Sequence, residues 1–337
     1  QEEEEEEEDE EEDESNGKIR ALRFIEDVQA FREVSKTLST YVNPLPYFID
    51  PHTGRVHCSF RQWGTATGRL SCESPNLQNI PSTEGIRRAF EASDVDASPC
   101  LGEAGGGPGE AALQKRGSKW EFVRADFKAM EVHVLAREAG DDALSAALSE
   151  SDLHSAIACK VFGLSLGEVT PSLRQRAKAV TFGIIYGQTA AVLGQSLGVS
   201  KKEAEGLIRS FYQAFPDVER FLKEKEEEVG STLMISTSSG RVRPLEGKDR
   251  KAARRIARNT PIQSVAADLT KAAMLALDSR LREERKKPDG VRAWIVHQNH
   301  DDLIVETTSE CVQRVEEIMK KELGEAWRHR ERLLFLS

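Results

Sequence analysis

The chain has no run of 18 or more apolar residues, so no segment reads as a membrane-spanning helix. Its first residues carry neither the basic start nor the apolar stretch of a secretory signal. An acidic start is equally wrong for a transit peptide. No two cysteines are spaced CxxC; Cys58, Cys72, Cys100, Cys159 and Cys311 are scattered and odd in number. That excludes a zinc ribbon and points to reduced thiols in an intracellular protein. The GxxxxGK[ST] cradle is missing, which removes the common nucleotide-hydrolase loop. There is no internal repeat.

An excess of positive charge is missing too, at first count: 57 acids against 47 Lys and Arg give a net −10. Yet residues 2–14 are all Glu or Asp. With those 13 set aside, 44 acids remain and the body carries about +3. So dense an acidic run repels itself and buries no apolar surface, so residues 1–17 are expected to be a disordered acidic tail. The rest is long enough for one large or two ordinary domains.

Periodicity predicts a helix over 18–42, with Ile19, Leu22, Phe24, Ile25, Val28 and Phe31 near helical spacing. A turn-rich stretch follows over 43–54, then strand-like pieces at 55–62 and 86–91. Residues 97–119, with GEAGGGPGE, read as a flexible insertion before a strand over 120–126. From 129 on the pattern is mainly helical: 153–162, 174–186, 201–229, 250–287 and a final amphipathic helix over 311–323. A hairpin is expected over 234–244 around Ser239-Gly240. Short β-branched runs at 293–296 and 303–307 flank a polar turn.

Several groups are candidates for chemistry. Asp126 closes a strand; alone, such an Asp is usually a turn or cap. His300-Asp301-Asp302 lies between two apolar runs, where adjacent carboxylates are costly unless solvated, paired or metal-bound. A solvated hairpin turn is the competing reading. Strand alternation lets only one of the two Asp share a metal with Asp126. Arg174, Lys178, Phe182 and Tyr186 recur every four residues along one helix face. The cations suit a polyphosphate and the aromatics a sugar or base; a surface helix with snorkelling cations is the alternative. Gly183 and Gly187 cost that helix roughly 1 kcal/mol each, which implies close approach of another group. Residues 240–259 hold eight Lys or Arg and two acids, and run into Asn259 and Gln263. Cations there suit phosphates and amides suit base edges, though a charge run is commonly a solvated face. Residues 64–81 read by composition as an ordinary polar loop.

In order, TATGRLS with PNLQNIP, ADFKAMEVHVLA, RQRAKAVTFGIIYG, ARNTPIQSVAAD and HDDLIVE resemble DNA polymerase family A. The resemblance runs over about residues 43–320. It implies an α+β fold: a right-hand palm with a small antiparallel sheet, a helical fingers subdomain, and a thumb largely missing. The implied division is a helical thumb remnant at 18–42, palm at 43–139, fingers at 140–240, then palm and C-terminal helix at 241–337. It implies DNA-directed DNA synthesis from dNTPs on a primer–template, with two Mg²⁺ ions and no membrane, by a monomer. Asp126 and Asp301 would be the metal-binding acids, with Asp302 beside them and the Phe127 carbonyl as a further ligand. Glu131 and Tyr186 would exclude a ribose 2′-hydroxyl. Arg174 and Lys178 would grip the triphosphate, with Lys178 protonating pyrophosphate, His154 a second phosphate contact, and Phe182 packing on sugar or base. Arg69, Gln78, Asn79, Arg255, Asn259, Gln263 and His300 would contact primer–template or the nascent pair.

The chain departs from the family pattern in places. Asp302 stands for the usual Glu, Lys128 and Ala129 for a polar pair, His133 for a frequent Arg, and Ser264 for a Gly. No 3′–5′ exonuclease segment is present, and EAWRHRERLLFLS is not the usual ending. Weak grip on DNA and low processivity are expected. A theta- or nu-like repair enzyme and an organellar or bacterial-type replication enzyme all fit, so the expected compartment is nucleus or a DNA-containing organelle. Two rival functions are a catalytically weak or inactive relic that binds primer–template, and a nucleotide hydrolase using the same carboxylates.

Overall fold

The computed structural model describes residues 2–81, 84–92 and 119–334; over 2–16, 84 and 332–334 it describes backbone only. The expected insertion over 97–119 lies outside the described residues, save Lys119. Two compact units form, one of residues 1–60 and 72–91, the other of 61–71 and 92–337.

In the first unit α1 spans Glu2–Thr37 and passes into a π-helical turn, Leu38–Val42. The backbone of α1 includes the acidic run, in keeping with Glu as a good helix former. Ile19, Leu22, Phe24, Ile25 and Phe31 are exposed along α1. Short strands β1 (Ser59–Arg61) and β2 (Ser71–Glu73) pair with each other. The expected strand at 86–91 is instead the end of a one-turn helix, α2 (Glu84–Arg87), with turns after it. Cys58, Cys72, Cys159 and Cys311 are free thiols.

The second unit is built on a three-stranded antiparallel sheet in the order β3 (Trp120–Asp126), β7 (Asp302–Thr308), β6 (Ala293–Asn299). β6 and β7 form a hairpin with one irregularity between Ile295 and His297. Buried Val123, Leu303 and Val305 pack one apolar cluster with the helices that follow β3. These are α3 (Met130–Ala139), α4 (Asp142–Leu148), α5 (Leu153–Phe162), α6 (Pro171–Ile185), α7 (Ala190–Leu197), α8 (Lys201–Ala214) and α9 (Pro216–Thr232). The single helix expected over 201–229 is two, because Pro216 cannot donate a helical hydrogen bond and starts α9 at its N1 position.

A hairpin, β4 (Met234–Ser236) and β5 (Val242–Pro244), leads to α10 (Arg250–Arg285). Pro261 lies inside α10. Buried Ile262, Val265, Leu269, Ala273, Leu277 and Leu281 run down its core face at helical spacing. After β7 come α11 (Val312–Gly324) and α12 (Ala326–Leu334). The final helix expected at 311–323 is therefore followed by another. Arg330, only 6% exposed, pins α12 by donating to the Ser238 hydroxyl, and Arg137 stacks on Trp327 at 4.2 Å.

Candidate active site

The sheet brings the acids together. In register, Asp126 faces Asp302 directly across β3 and β7, and side chains opposite one another in such a pair share a face. Asp301 is not on β7 but in the turn before it, where His300 takes φ 54°. Strand alternation therefore does not divide Asp301 from Asp302, and both charges act on this cluster. The Phe127 N–H donates to the Asp301 carbonyl, 3.3 Å, tying the end of β3 to that turn. Ala129 at φ 51° starts α3 without a side-chain cap. Two non-glycine residues in the left-handed region thus flank the acids, at a cost of about 1 kcal/mol or more each.

Electrostatics mark the cluster. Burial, and then the charge of Asp302, pushes the Asp126 carboxyl above its usual range. Burial, and then Asp126, does the same to Asp301. Asp302 is 4% exposed; its Oδ2 accepts from Arg124 at 2.6 Å while its Oδ1 is buried with no hydrogen bond. Crowded, desolvated carboxylates with an orphaned oxygen are a donor set suited to a hard divalent cation. Among the described residues no three His, Cys, Asp or Glu side chains are gathered closely enough to hold a metal alone. A metal here therefore needs oxygens beyond these side chains, from the main chain, substrate or water.

A second constellation lies on α6. Tyr186 donates to Glu131 Oε2 at 2.7 Å, and Arg69 holds the other oxygen, also at 2.7 Å. Glu131 is 8% exposed, so the acid at the centre of this triad is largely desolvated, while Tyr186 and Arg69 reach solvent. Burial and the Glu131 hydrogen bond push the Tyr186 hydroxyl well above its usual range, and Asp301 adds to the shift. Phe182 stacks on Tyr186, centroids 6.3 Å apart, and His154 tilts against Phe182 at 6.1 Å. The stripe of Phe182 and Tyr186 is thus one continuous aromatic surface.

The cations lie at the other end of that stripe. Arg174 is held by Asp152 at 2.7 Å, and Ser155 donates to the same carboxylate oxygen. The Arg174 hydrogen bond holds Asp152 well below the usual carboxylate range. Lys178 is exposed one turn on. Burial, then the Lys178 and Arg174 charges, hold His154 below its ordinary value. His154 Nδ1 is buried without a hydrogen bond.

The glycines answer to the protein's own chain. Gly187 sits at φ 64°, where a Cβ would meet the Arg255 side chain at 2.8 Å; α10 crosses there. At Gly183 a Cβ would crowd Gln188 and Leu193, both at 3.2 Å. Asn259 Nδ2 donates to the Ile185 carbonyl, 3.2 Å, locking α10 to the end of α6. Arg255 is exposed and Gln263 half-buried on the same helix, and His300 is exposed at the hairpin. Part of the basic run is spent on packing: Arg241 on Asp268, Arg243 on Thr260, Arg258 on Tyr212 and Glu226. Arg250, Lys251, Arg254 and Arg255 stay exposed. Gln78 and Asn79 belong to the other unit; Gln78 is buried and the Asn79 carbonyl accepts from Tyr41.

Two residues of the site escaped sequence reasoning. Asp152 carries no motif and meets Arg174 only through the packing of α5 on α6. Arg124 had a usable signal: it lies two residues before Asp126, hence on the same strand face.

The family model for DNA polymerase family A matches residues 16–332. The chain is 36% identical over 328 residues to the thermostable DNA polymerase I of Thermus filiformis, covering 93% of this chain and 36% of that protein. It is 37% identical over 312 residues to DNA polymerase I of Chloroflexus aurantiacus, covering 90% and 30%. Among solved structures it is similar to the POL domain of Pol1 from M. smegmatis in complex with DNA primer-template and dNTP. The TM-score is 0.75 at 31% identity, over 90% of this chain and 50% of that one. The chain thus spans about a third of the length of the curated relatives it matches. The antiparallel sheet with its acids, the helical body and the family match agree: this chain belongs to DNA polymerase family A.

Proposed function

We propose that the chain performs template-directed DNA synthesis, adding dNTPs to a primer 3′ end by in-line phosphoryl transfer. The observation that carries this reading is the meeting of Asp126, Asp301 and Asp302 at one end of the sheet, beside the Glu131–Tyr186 pair that closes the cationic α6 stripe. In this reading 43–139 and 241–337 are palm, 140–240 fingers and 18–42 a thumb remnant.

Asp126 and Asp301, with the Phe127 carbonyl, would hold two Mg²⁺ ions. Such ions would supply a lower pKa for the primer hydroxyl and neutralising charge for the transferring and leaving phosphates. Arg174 and Lys178 grip the triphosphate, His154 supports it, and exposed Lys178 gives a proton to the departing pyrophosphate. Phe182 packs on the incoming sugar or base. The Glu131–Tyr186 pair fills the space a ribose 2′-hydroxyl needs, which selects dNTP. Arg69, Gln78, Asn79, Arg255, Asn259, Gln263 and His300 take primer–template. They check pair geometry in a groove whose acceptors are degenerate.

The test is incorporation opposite each of the four template bases. The complementary dNTP should be added in every case, with Mg²⁺ required. Turnover of dNTP without primer–template, or addition regardless of the template base, would overturn the reading.

A further inference from the structure

Arg124 stands inside the carboxylate cluster. It shares a face of β3 with Asp126, its guanidinium meets Asp302 Oδ2 at 2.6 Å, and it lies 3.8 Å from Asp126. The Arg124 side chain is 48% exposed and that of Asp302 only 5%. The arginine therefore reaches in from solvent to a carboxylate that cannot be solvated. One guanidinium against three acids leaves the cluster net negative. The same cation occupies a donor oxygen that a metal would use, while Asp302 Oδ1 stays without a hydrogen bond.

We infer that Arg124 is a built-in counter-ion of this metal site. Resting on the metal-centre reading above, the role is one of positioning: Arg124 holds Asp302 and screens Asp126 in the metal-free chain, and it opposes the entry of a divalent cation. Two like-signed ions a few ångströms apart repel strongly when partly desolvated. Arg124 thereby sets the divalent-ion concentration at which the site fills. It also keeps Asp302 turned to the guanidinium, which accounts for a shorter acid at this place: the carboxylate is aimed at Arg124 across the strands and need not extend toward the substrate.

Mn²⁺ binding to the full chain, read from the free-ion electron paramagnetic resonance signal, tests this without reference to activity. Arg124→Gln should bind Mn²⁺ about tenfold more tightly than wild type, the size expected for one nearby charge after solvent screening. Arg124→Lys keeps the charge and should stay within about threefold of wild type. Far-ultraviolet melting in EDTA establishes that each variant is folded. Unchanged or weaker Mn²⁺ binding by folded Arg124→Gln overturns the counter-ion role while leaving the metal centre standing. Binding by neither wild type nor Arg124→Gln overturns both. Should Arg124→Gln not fold, Arg124→Met, which keeps the apolar stem and drops the charge, takes its place: about tenfold tighter Mn²⁺ binding is expected, and unchanged or weaker binding overturns the role.

Discussion

Tyr186 and Glu131 are joined by a 2.7 Å hydrogen bond that ties the end of α6 to the first turn of α3. Because Arg69 holds the other Glu131 oxygen, the acid is fixed from both sides in a nearly dry place. A fixed side chain rejects an extra hydroxyl better than a mobile one, so under the proposed function this pair would set sugar choice. Glu131→Ala is expected to raise the rNTP-to-dNTP ratio of kcat/KM by about tenfold or more. Single-nucleotide incorporation with matched rNTP and dNTP measures it.

Arg174 and Lys178 should separate kinetically. Arg174→Ala removes a guanidinium already aimed by Asp152, and is expected to raise KM for dNTP about tenfold. Lys178→Ala removes the proposed proton donor, and is expected to lower kcat by at least about a hundredfold. Primer–template affinity should change little in either. Steady-state incorporation and a DNA-binding titration check both.

The acids of the cluster cost stability at neutral pH. Asp126 and Asp301 bind protons more tightly folded than unfolded. Their contribution is full below the unfolded value of 3.8 and is lost as pH rises through the raised folded values. In EDTA at pH 7, Asp126→Asn should therefore be more stable than wild type, by ~0.5 kcal/mol after discounting for solvent at this half-exposed group. Mg²⁺ should stabilise wild type and not the variant. Thermal melts with EDTA and with Mg²⁺ read both effects.

Much of this was legible in the chain, for reasons that differ by element. β3 ended at Asp126 as expected, because its apolar content and strand length are local properties. The register of Asp126 on Asp302 was not legible, since 176 residues separate the pair and only the hairpin of β6 and β7 brings Asp302 beside β3. The stripe on α6 followed from helical spacing alone, but its partners did not: Asp152, Glu131 and Arg69 come from other elements. The break at Phe215-Pro216 lies inside a continuous amphipathic pattern that masks it, although proline at the start of a helix is a local signal. The close approach expected at Gly187 is present, but its partner, Arg255 of α10, comes from a distant part of the chain and left no local signal.

Glu284 supplies a structural prediction far from the chemistry. Its side chain is 1% exposed and meets Arg280 at 2.8 Å, Lys287 at 2.6 Å and Arg314 of α11. The Lys287 hydrogen bond leads in holding its carboxyl below the usual range. That contribution is present above the unfolded value and is lost as pH falls through the lowered one. Glu284→Gln leaves three cations around a neutral amide, and should cost about 3 kcal/mol. Urea denaturation at pH 7 measures the loss.

Deleting residues 1–14 removes thirteen acids from one end of α1. Nucleotide incorporation should stay within about twofold of the full chain, since no residue of the proposed site lies in 1–14. Primer extension by the shortened chain measures it.

The central claim is that Asp126 and Asp301 carry templated synthesis. Single-turnover addition of one complementary dNTP at saturating Mg²⁺ tests it most directly, with wild type, Asp126→Ala and Asp301→Ala compared. Wild type should extend the primer, and each variant should lose at least about a thousandfold in rate while still binding primer–template. Equal extension by wild type and Asp126→Ala would contradict the account.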